Sequence, residues 1–552
     1  MKGKDADLER RNLLRLGGMG LAAASVATVP MIGIAAQPID VTGSGGYFLD
    51  VRCYGATGDG KAVDTPAINE AIAAAAAAGG GTVIIPAGTY MCFSIRLKSR
   101  VHLYLSAGAK IVGADSPRPD GTTGYHGGEY DPAGPPQPWE AYQDYGHNHW
   151  KNSLLWAIGE HDISISGPGV IYGKGLSSGS MGSRGGYPVF DQKQAGVADK
   201  AIAMKDCHNV ILRDFSILKG GHFGMLLTGV DNLVIDNLTV DTERDGIDID
   251  CCRNVKIVNT TVNSPWDDGI CLKSSYALGY PRITKDIIIT GCFVTGDFQL
   301  GSVIDGSWRR MPLGAHVDPH GFHAGRIKCG TESNGGFINI AITNCIFDGC
   351  MGYALESVDG ALLEDITISN STMRNLYCGP LFLRLGARLR GPKATTQVGK
   401  VRRIFISNLD CYATRSDWCS TFSGIPGYDI EDVKLSNIYI EVRGGEKNPI
   451  PAPPKKIADY PEPTMFGVSP AYGFFIQHLK NIDVSHLELA VRKRDVRPAF
   501  YMDHVTRADF FAVTAPRGPT LPFSLHDVRD FRIGWSRATP DKDIADAGAT
   551  SL

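Results

Sequence analysis

A short motif recurs along this chain and leaves few folds open. It is a polar residue, usually Asn or Asp, then alternating apolar positions, then another polar turn. It reads Asp162-Ile-Ser-Ile-Ser166, Asn209-Val-Ile-Leu-Arg-Asp-Phe215, Asn232-Leu-Val-Ile-Asp-Asn-Leu238 and Asn254-Val-Lys-Ile-Val258. It returns as Asp286-Ile-Ile-Ile-Thr290, Asp365-Ile-Thr-Ile-Ser369, Arg403-Ile-Phe-Ile-Ser407 and Asn481-Ile-Asp-Val-Ser485. Asn209 and Asn232 are 23 residues apart, and Asn232 and Asn254 are 22 apart. That period has no room for a helix between parallel strands, but it fits three short strands and three turns per coil. A sandwich of unrelated hairpins would not hold such a register. The expected fold is all-β: a single right-handed parallel β-helix solenoid over residues 47–535, with a short N-terminal capping helix, long loop insertions and a C-terminal tail, 536–552.

The helix is expected where Thr65 offers an N-cap, Pro66 a first helical residue and Ala67 to Ala78 an alanine-rich body ending at Gly79. A helix there would cover the apolar end of the first coil. Ahead of it, Arg10-Arg11 precede an apolar run that ends in small residues near Ala35-Ala36. Residues 1–36 therefore read as a twin-arginine signal peptide, an address for export to the periplasm or beyond and not a membrane span.

Lys and Arg total 55 against 58 Asp and Glu, a net charge of -3, which gives no electrostatic case for nucleic acid or an anionic membrane as partner. The 66 glycines suit a chain of many tight turns. The 13 cysteines are scattered, with no zinc spacing, and several, such as Cys252, Cys292, Cys345 and Cys411, lie in or beside apolar runs. They read as buried thiols. No metal and no cofactor is expected.

Three stretches interrupt the period: Ser116 to Trp150, Gly301 to Ala324, and Glu446 to Pro463. Insertions in a solenoid tend to emerge on one face and wall a binding cleft. The aromatic residues of the first suit stacking on sugar rings, or serve as packed loop anchors.

The chemistry is expected at Asp245-Gly-Ile-Asp-Ile-Asp250 and Trp266-Asp267-Asp268-Gly-Ile-Cys-Leu-Lys273. One coil separates the two groups, so Asp245, Asp267 and Asp268 return to nearly the same lateral position. Converging carboxylates repel and cost stability unless function needs them. A regular strand would send Asp267 and Asp268 to opposite faces, so a bend is required, and Pro265 permits one. Asp248 and Asp250, alternating with isoleucines, read as structural.

These motifs, with Tyr54-Gly-Ala-Thr-Gly-Asp-Gly60, Gly81-Thr-Val-Ile-Ile-Pro-Ala-Gly-Thr-Tyr90 and Ile165-Ser-Gly-Pro-Gly-Val-Ile-Tyr-Gly173, resemble glycoside hydrolase family 28, the polygalacturonases and their relatives. The resemblance implies an inverting glycosidase acting on pectic or related plant carbohydrates. It makes Asp267 the acid that protonates the glycosidic oxygen, and Asp245 and Asp268 the pair that holds and deprotonates water. Inversion implies carboxylates roughly 6.5–9.5 Å apart, and a neighbouring carboxylate would raise the acid's pKa.

The sequence also departs from the family. Asn-Thr-Asp is Glu243-Arg244-Asp245, and Gly-His-Gly is missing, with His323, or His316 or His320, as a substitute imidazole. The Arg-Ile-Lys that grips a substrate carboxylate aligns with Ala354-Leu355-Glu356, while Arg326-Ile-Lys328 lies one coil earlier. Arg326 and Lys328 could replace that clamp, as could Arg384 and Arg388. Otherwise the sugar is neutral. Lys273, His323, Arg326, Lys328 and Glu356 are the expected substrate-binding residues. Two rival readings stay open: a lyase using Ca²⁺ on the aspartates with Lys273 or an Arg as base, and a non-catalytic carbohydrate-binding β-helix.

Overall fold

A computed structural model describes residues 48–179, 191–310, 324–415, 418–516 and 520–552. The expected leader at 1–36 and His316, His320 and His323 lie outside the described residues. The chain winds as a right-handed parallel β-helix whose successive coils pair strand on strand along three faces. One face stacks Asp231–Asp236, Arg253–Val258 and Thr284–Thr290, and a second stacks Thr239–Asp241, Thr261–Asn263 and Phe293–Thr295. The third carries β1 (Phe223–Thr228), β2 (Asp245–Asp250), β3 (Ile270–Ser274), β4 (Ile327–Ser333), β5 (Tyr353–Ser357) and β6 (Leu381–Leu385).

The recurrent Asn and Asp have a double explanation. Asn209, Asn232 and Asn254 take left-handed φ angles of 56°, 54° and 54°, which few side chains tolerate as well as Asn. Their amides also stack: Asn232 Nδ2 donates to Asn209 Oδ1 at 3.0 Å, and Asn254 Nδ2 to Asn232 Oδ1 at 2.8 Å. The alternation between these turns sends every second side chain into the coil. Met225, Ile247, Ile270, Ile327, Tyr353 and Leu381 thus line up in register through the core.

Helix α1 spans Thr65–Ala77 and buries Ala67, Ile68, Ala71, Ile72 and Ala75, one stripe at helical spacing. Its N-cap is Asp64, not Thr65. Thr65 is drawn off because its hydroxyl accepts from Phe93 N at 2.7 Å, while the Asp64 carboxylate accepts from Thr57 N at 2.7 Å. At the other end 536–552 does not hang free. Lys542–Asp546 and Ala549–Ser551 pair antiparallel with Phe523–Gly534, covering the exposed edge of the last coil. The cysteines are all free thiols, buried except Cys53. Among the described residues no helix is long and apolar enough to cross a membrane.

Candidate active site

On β1 to β6 the outward face is as buried as the inward one, because the insertions fold over it. Polar side chains there are largely withdrawn from solvent and answer mostly to one another. The first insertion makes a turn at Tyr145–Asn148 that presents His147, and the third brings in Tyr460 and Glu462. Between them a cleft of about 480 Å³ opens over the aspartates.

Asp267 and Asp268 follow a bend over Pro265–Asp267 and so share one site, as their adjacency requires. The bend is pinned to the coil below: Trp266 N donates to Glu243 O at 3.0 Å, and Asp268 N to the Asp245 carboxylate at 3.2 Å. Gly246 lets the coils approach this closely, since a Cβ there would lie 2.4 Å from Gly269 O. One oxygen from each of Asp245, Asp267 and Asp268 lies within 4.8 Å of the others. That is tighter than the expected inverting separation, because the aspartates are either chain neighbours or one strand spacing apart. Asp245 and Asp268 are 4% and 2% exposed, whereas the Asp267 side chain is 29% exposed and faces the opening.

Cations divide the three chemically. Burial alone would raise the Asp268 carboxyl, but Arg326 Nε at 2.5 Å and Lys328 Nζ at 3.2 Å hold it far below the usual range. Burial likewise acts upward on Asp267, and Arg244 at 2.9 Å outweighs it, so that this carboxyl is lowered. The expectation that a neighbouring carboxylate raises the acid's pKa therefore fails for Asp267 in the unliganded site; Arg244, in the place of the family's Thr, reverses it. Asp245 goes the other way: burial, then Asp248 and Asp267, push its carboxyl well above the ordinary range. The three carboxyls thus differ in acidity, Asp245 being the weaker acid and Asp267 and Asp268 the stronger ones.

Lys273 projects from β3 among Glu332 at 3.4 Å, Asp245 at 3.8 Å and Asp248 at 3.9 Å. Burial disfavours its charge, yet Asp248 and its other acidic neighbours raise its pKa well above that of a free lysine. Lys273 is thereby ill suited to be the base of the lyase reading, which leaves an arginine for that role. Lys328 has Glu356 on its far side at 3.7 Å. Glu356 is fully buried beneath Lys328 and is not among the residues lining the cleft; burial pushes its carboxyl up to about 7. Arg384 is also buried away from the cleft, bonded to Ser423 Oγ and Lys456 O. Arg388 is held by Asp359 at 3.0 Å. Neither Arg384 nor Arg388 lines the cleft.

Sequence reasoning did not single out His147, His222, Asp144, Glu332 or Glu462 for this cleft, all of which line it. It also set Asp248 aside as structural, though Asp248 abuts Lys273 and its carboxyl is raised by burial to about 7. Asp250 fits the structural reading, accepting from Ser275 N at 2.8 Å and Oγ at 2.6 Å. Glu332 owes its position to a register slip. Leu272 pairs with Cys329 but Ser274 with Ser333, so β4 carries two extra residues, and Thr331 and Glu332 reach the cleft. A cation could be held by Asp245, Asp267 and Asp268, by His147, Asp245 and Asp248, or by Asp144, His147 and Glu332. The Lys273 ammonium already stands among several of these carboxylates.

The fold and cleft define a right-handed parallel β-helix protein with a carboxylate-lined groove. Residues 182–297 match the family described as right handed beta helix region, and 48–120 match rhamnogalacturonase A/epimerase, pectate lyase-like. An exo-poly-α-D-galacturonosidase of Dickeya chrysanthemi is 23% identical over 377 residues, 59% of this chain and 55% of the relative. The chain thus matches little more than half the length of that curated relative. The family 28 exopolygalacturonase of Yersinia enterocolitica superposes with a TM-score of 0.60 at 19% identity, over 85% of this chain and 79% of the other. An exopolygalacturonase of Thermotoga maritima gives 0.51 at 18%, over 71% and 87%. The chain is similar to these proteins over those spans, and the solved structures share its β-helix fold.

Proposed function

We propose that the protein hydrolyses O-glycosidic bonds in pectic or related plant polysaccharides or oligosaccharides, with inversion. Asp267 protonates the glycosidic oxygen, and Asp245 and Asp268 hold the water and take its proton. The observation that supports hydrolysis is the meeting of three carboxyl groups, within 4.8 Å, under a cleft where, of the three, Asp267 is the partly open one; inversion is carried over from the resemblance. These roles need a base at Asp245 and an acid at Asp267, the reverse of the order of acidity that burial and Arg244 set in the unliganded site. Arg244 must release Asp267 for this to happen. Arg244→Met is therefore expected to raise the pKa of Asp267 and move the basic limb of the kcat–pH profile upward by about one unit. An unmoved limb would assign the acid to another carboxyl.

The close packing of the carboxylates favours a second reading, retention, with one of them as nucleophile. NMR of the first-formed sugar separates the two: the inverted anomer is expected, and the retained anomer overturns the first reading. A screen of pectic glycans supplies the substrate. An unsaturated product lost on addition of EDTA would restore the lyase, and an inactive protein that binds glycans would make this a carbohydrate-binding module. Export through the expected twin-arginine leader would bring the enzyme to such polymers.

A further inference from the structure

The guanidinium of Arg326 is spent on the protein itself. Its Nε donates to Asp268 at 2.5 Å, and its two terminal nitrogens donate to Glu462 at 2.9 and 2.8 Å. This two-pronged pairing with a planar carboxylate is the arrangement an arginine offers an acidic ligand. Here it is filled from within, by a residue of the third insertion. The other cations lining the cleft are also matched: Arg244 by Asp267, Lys328 by Asp268 and Glu356, and Lys273 by Glu332, Asp245 and Asp248. Lining carboxylates outnumber lining cations, six to four. Even with Asp245 protonated, an acidic sugar would add charge of the sign already in excess. The remaining lining includes the aromatic rings Trp266 and Tyr460 and the thioether of Met351, surfaces suited to the apolar faces of a sugar ring.

We propose that Glu462 closes Arg326 to substrate carboxylates, so that the sugar accepted beside Asp268 is uncharged and not a uronate. The inference rests on the reading of the cleft as a glycosidase site and narrows its substrate class. Glu462 is then a specificity-determining residue: it excludes acidic sugars by occupying their anchor. The competing possibility is a placeholder that swings aside when a uronate arrives, since the Glu462 side chain is 31% exposed.

The test uses the mature protein and its Glu462→Gln variant. Probes are galacturonic acid oligosaccharides, the same oligosaccharides after reduction of their carboxyl groups, and neutral pectic side-chain oligosaccharides. Wild type is expected to show kcat/KM about a hundredfold higher on its best neutral probe than on the uronate. Glu462→Gln, which removes the charge facing Arg326, is expected to raise the ratio of uronate to neutral turnover about tenfold. A wild type that prefers the uronate overturns the proposal, and so does a ratio that does not rise. Calorimetric binding of the same probes reads the inference even when no bond breaks. If nothing is turned over, the glycosidase reading has failed, while tighter binding of neutral chains still supports the exclusion. Tighter binding of the uronate, or binding of neither class, overturns it.

Discussion

Asp267→Asn is expected to lower kcat by about a thousandfold, within the span that general acid catalysis supplies, while leaving substrate affinity and thermal stability close to wild type. The side chain is the most exposed of the three aspartates, and its contact with Arg244 lies at the cleft wall and not in the core. The amide keeps the shape and a hydrogen-bond partner for Arg244, but has no proton to deliver to the glycosidic oxygen. The two measurements together give the result its meaning. Lost turnover with retained binding is the signature of a missing acid. Lost turnover with a fallen melting temperature would mean that the pair holds the bend at Pro265–Asp267. Full turnover would remove Asp267 from the mechanism. The same variant should show no gain at low pH, since the amide does not titrate.

Lys273→Met is expected to produce the largest loss of stability, about 3–5 kcal/mol, because removing one partner of a buried ionic cluster strands the others. The ammonium is 4% exposed and stands within 4 Å of Glu332, Asp245 and Asp248. The pH dependence has a definite sign. Burial pushes the Glu332 carboxyl upward, but Lys273 and then His147 hold it well below 4.5. A carboxyl lowered in this way contributes stability above its unfolded pKa and loses it as pH falls towards the folded value. The gap between wild type and variant, measured by urea unfolding, should therefore be widest at neutral pH and should narrow below about pH 4.5. A gap independent of pH would mean that Lys273 contributes packing and not charge. Activity should fall as well, since Asp245 loses a neighbouring cation.

The fold was legible because the asparagine stacks write it directly into the chain. Each Asn209-like residue meets a backbone need and a neighbour's need at once, so the signal repeats at every coil. Asp245, Asp267 and Asp268 were legible for the same reason, since the coil period alone brings them together. The walls were not. His147 and Glu462 arrive on insertions that obey no period, and nothing local in Tyr145-Gly-His-Asn148 or Pro461-Glu-Pro463 says which coil they will face. Arg244 hid differently: its neighbours were read, but the charge it places on Asp267 is a property of side-chain reach. The burial of Glu356 beneath Lys328 was not legible either, because depth below a cleft floor leaves no mark in the order of residues.

The two extra residues of β4 carry a consequence for how such a molecule can change its substrates. A solenoid is a thread of constant pitch, and an inserted coil would shift every later side chain by a full rung. A local slip does not: pairing resumes at Ser333, residues 336–343 stack in step on 362–369, and the coils beyond are unaware of the addition. Thr331 and Glu332 are thus new vocabulary added within a single word. Exchanging, lengthening or deleting that pair would let a chain of this kind try other sugars while its bond-breaking residues stay in place.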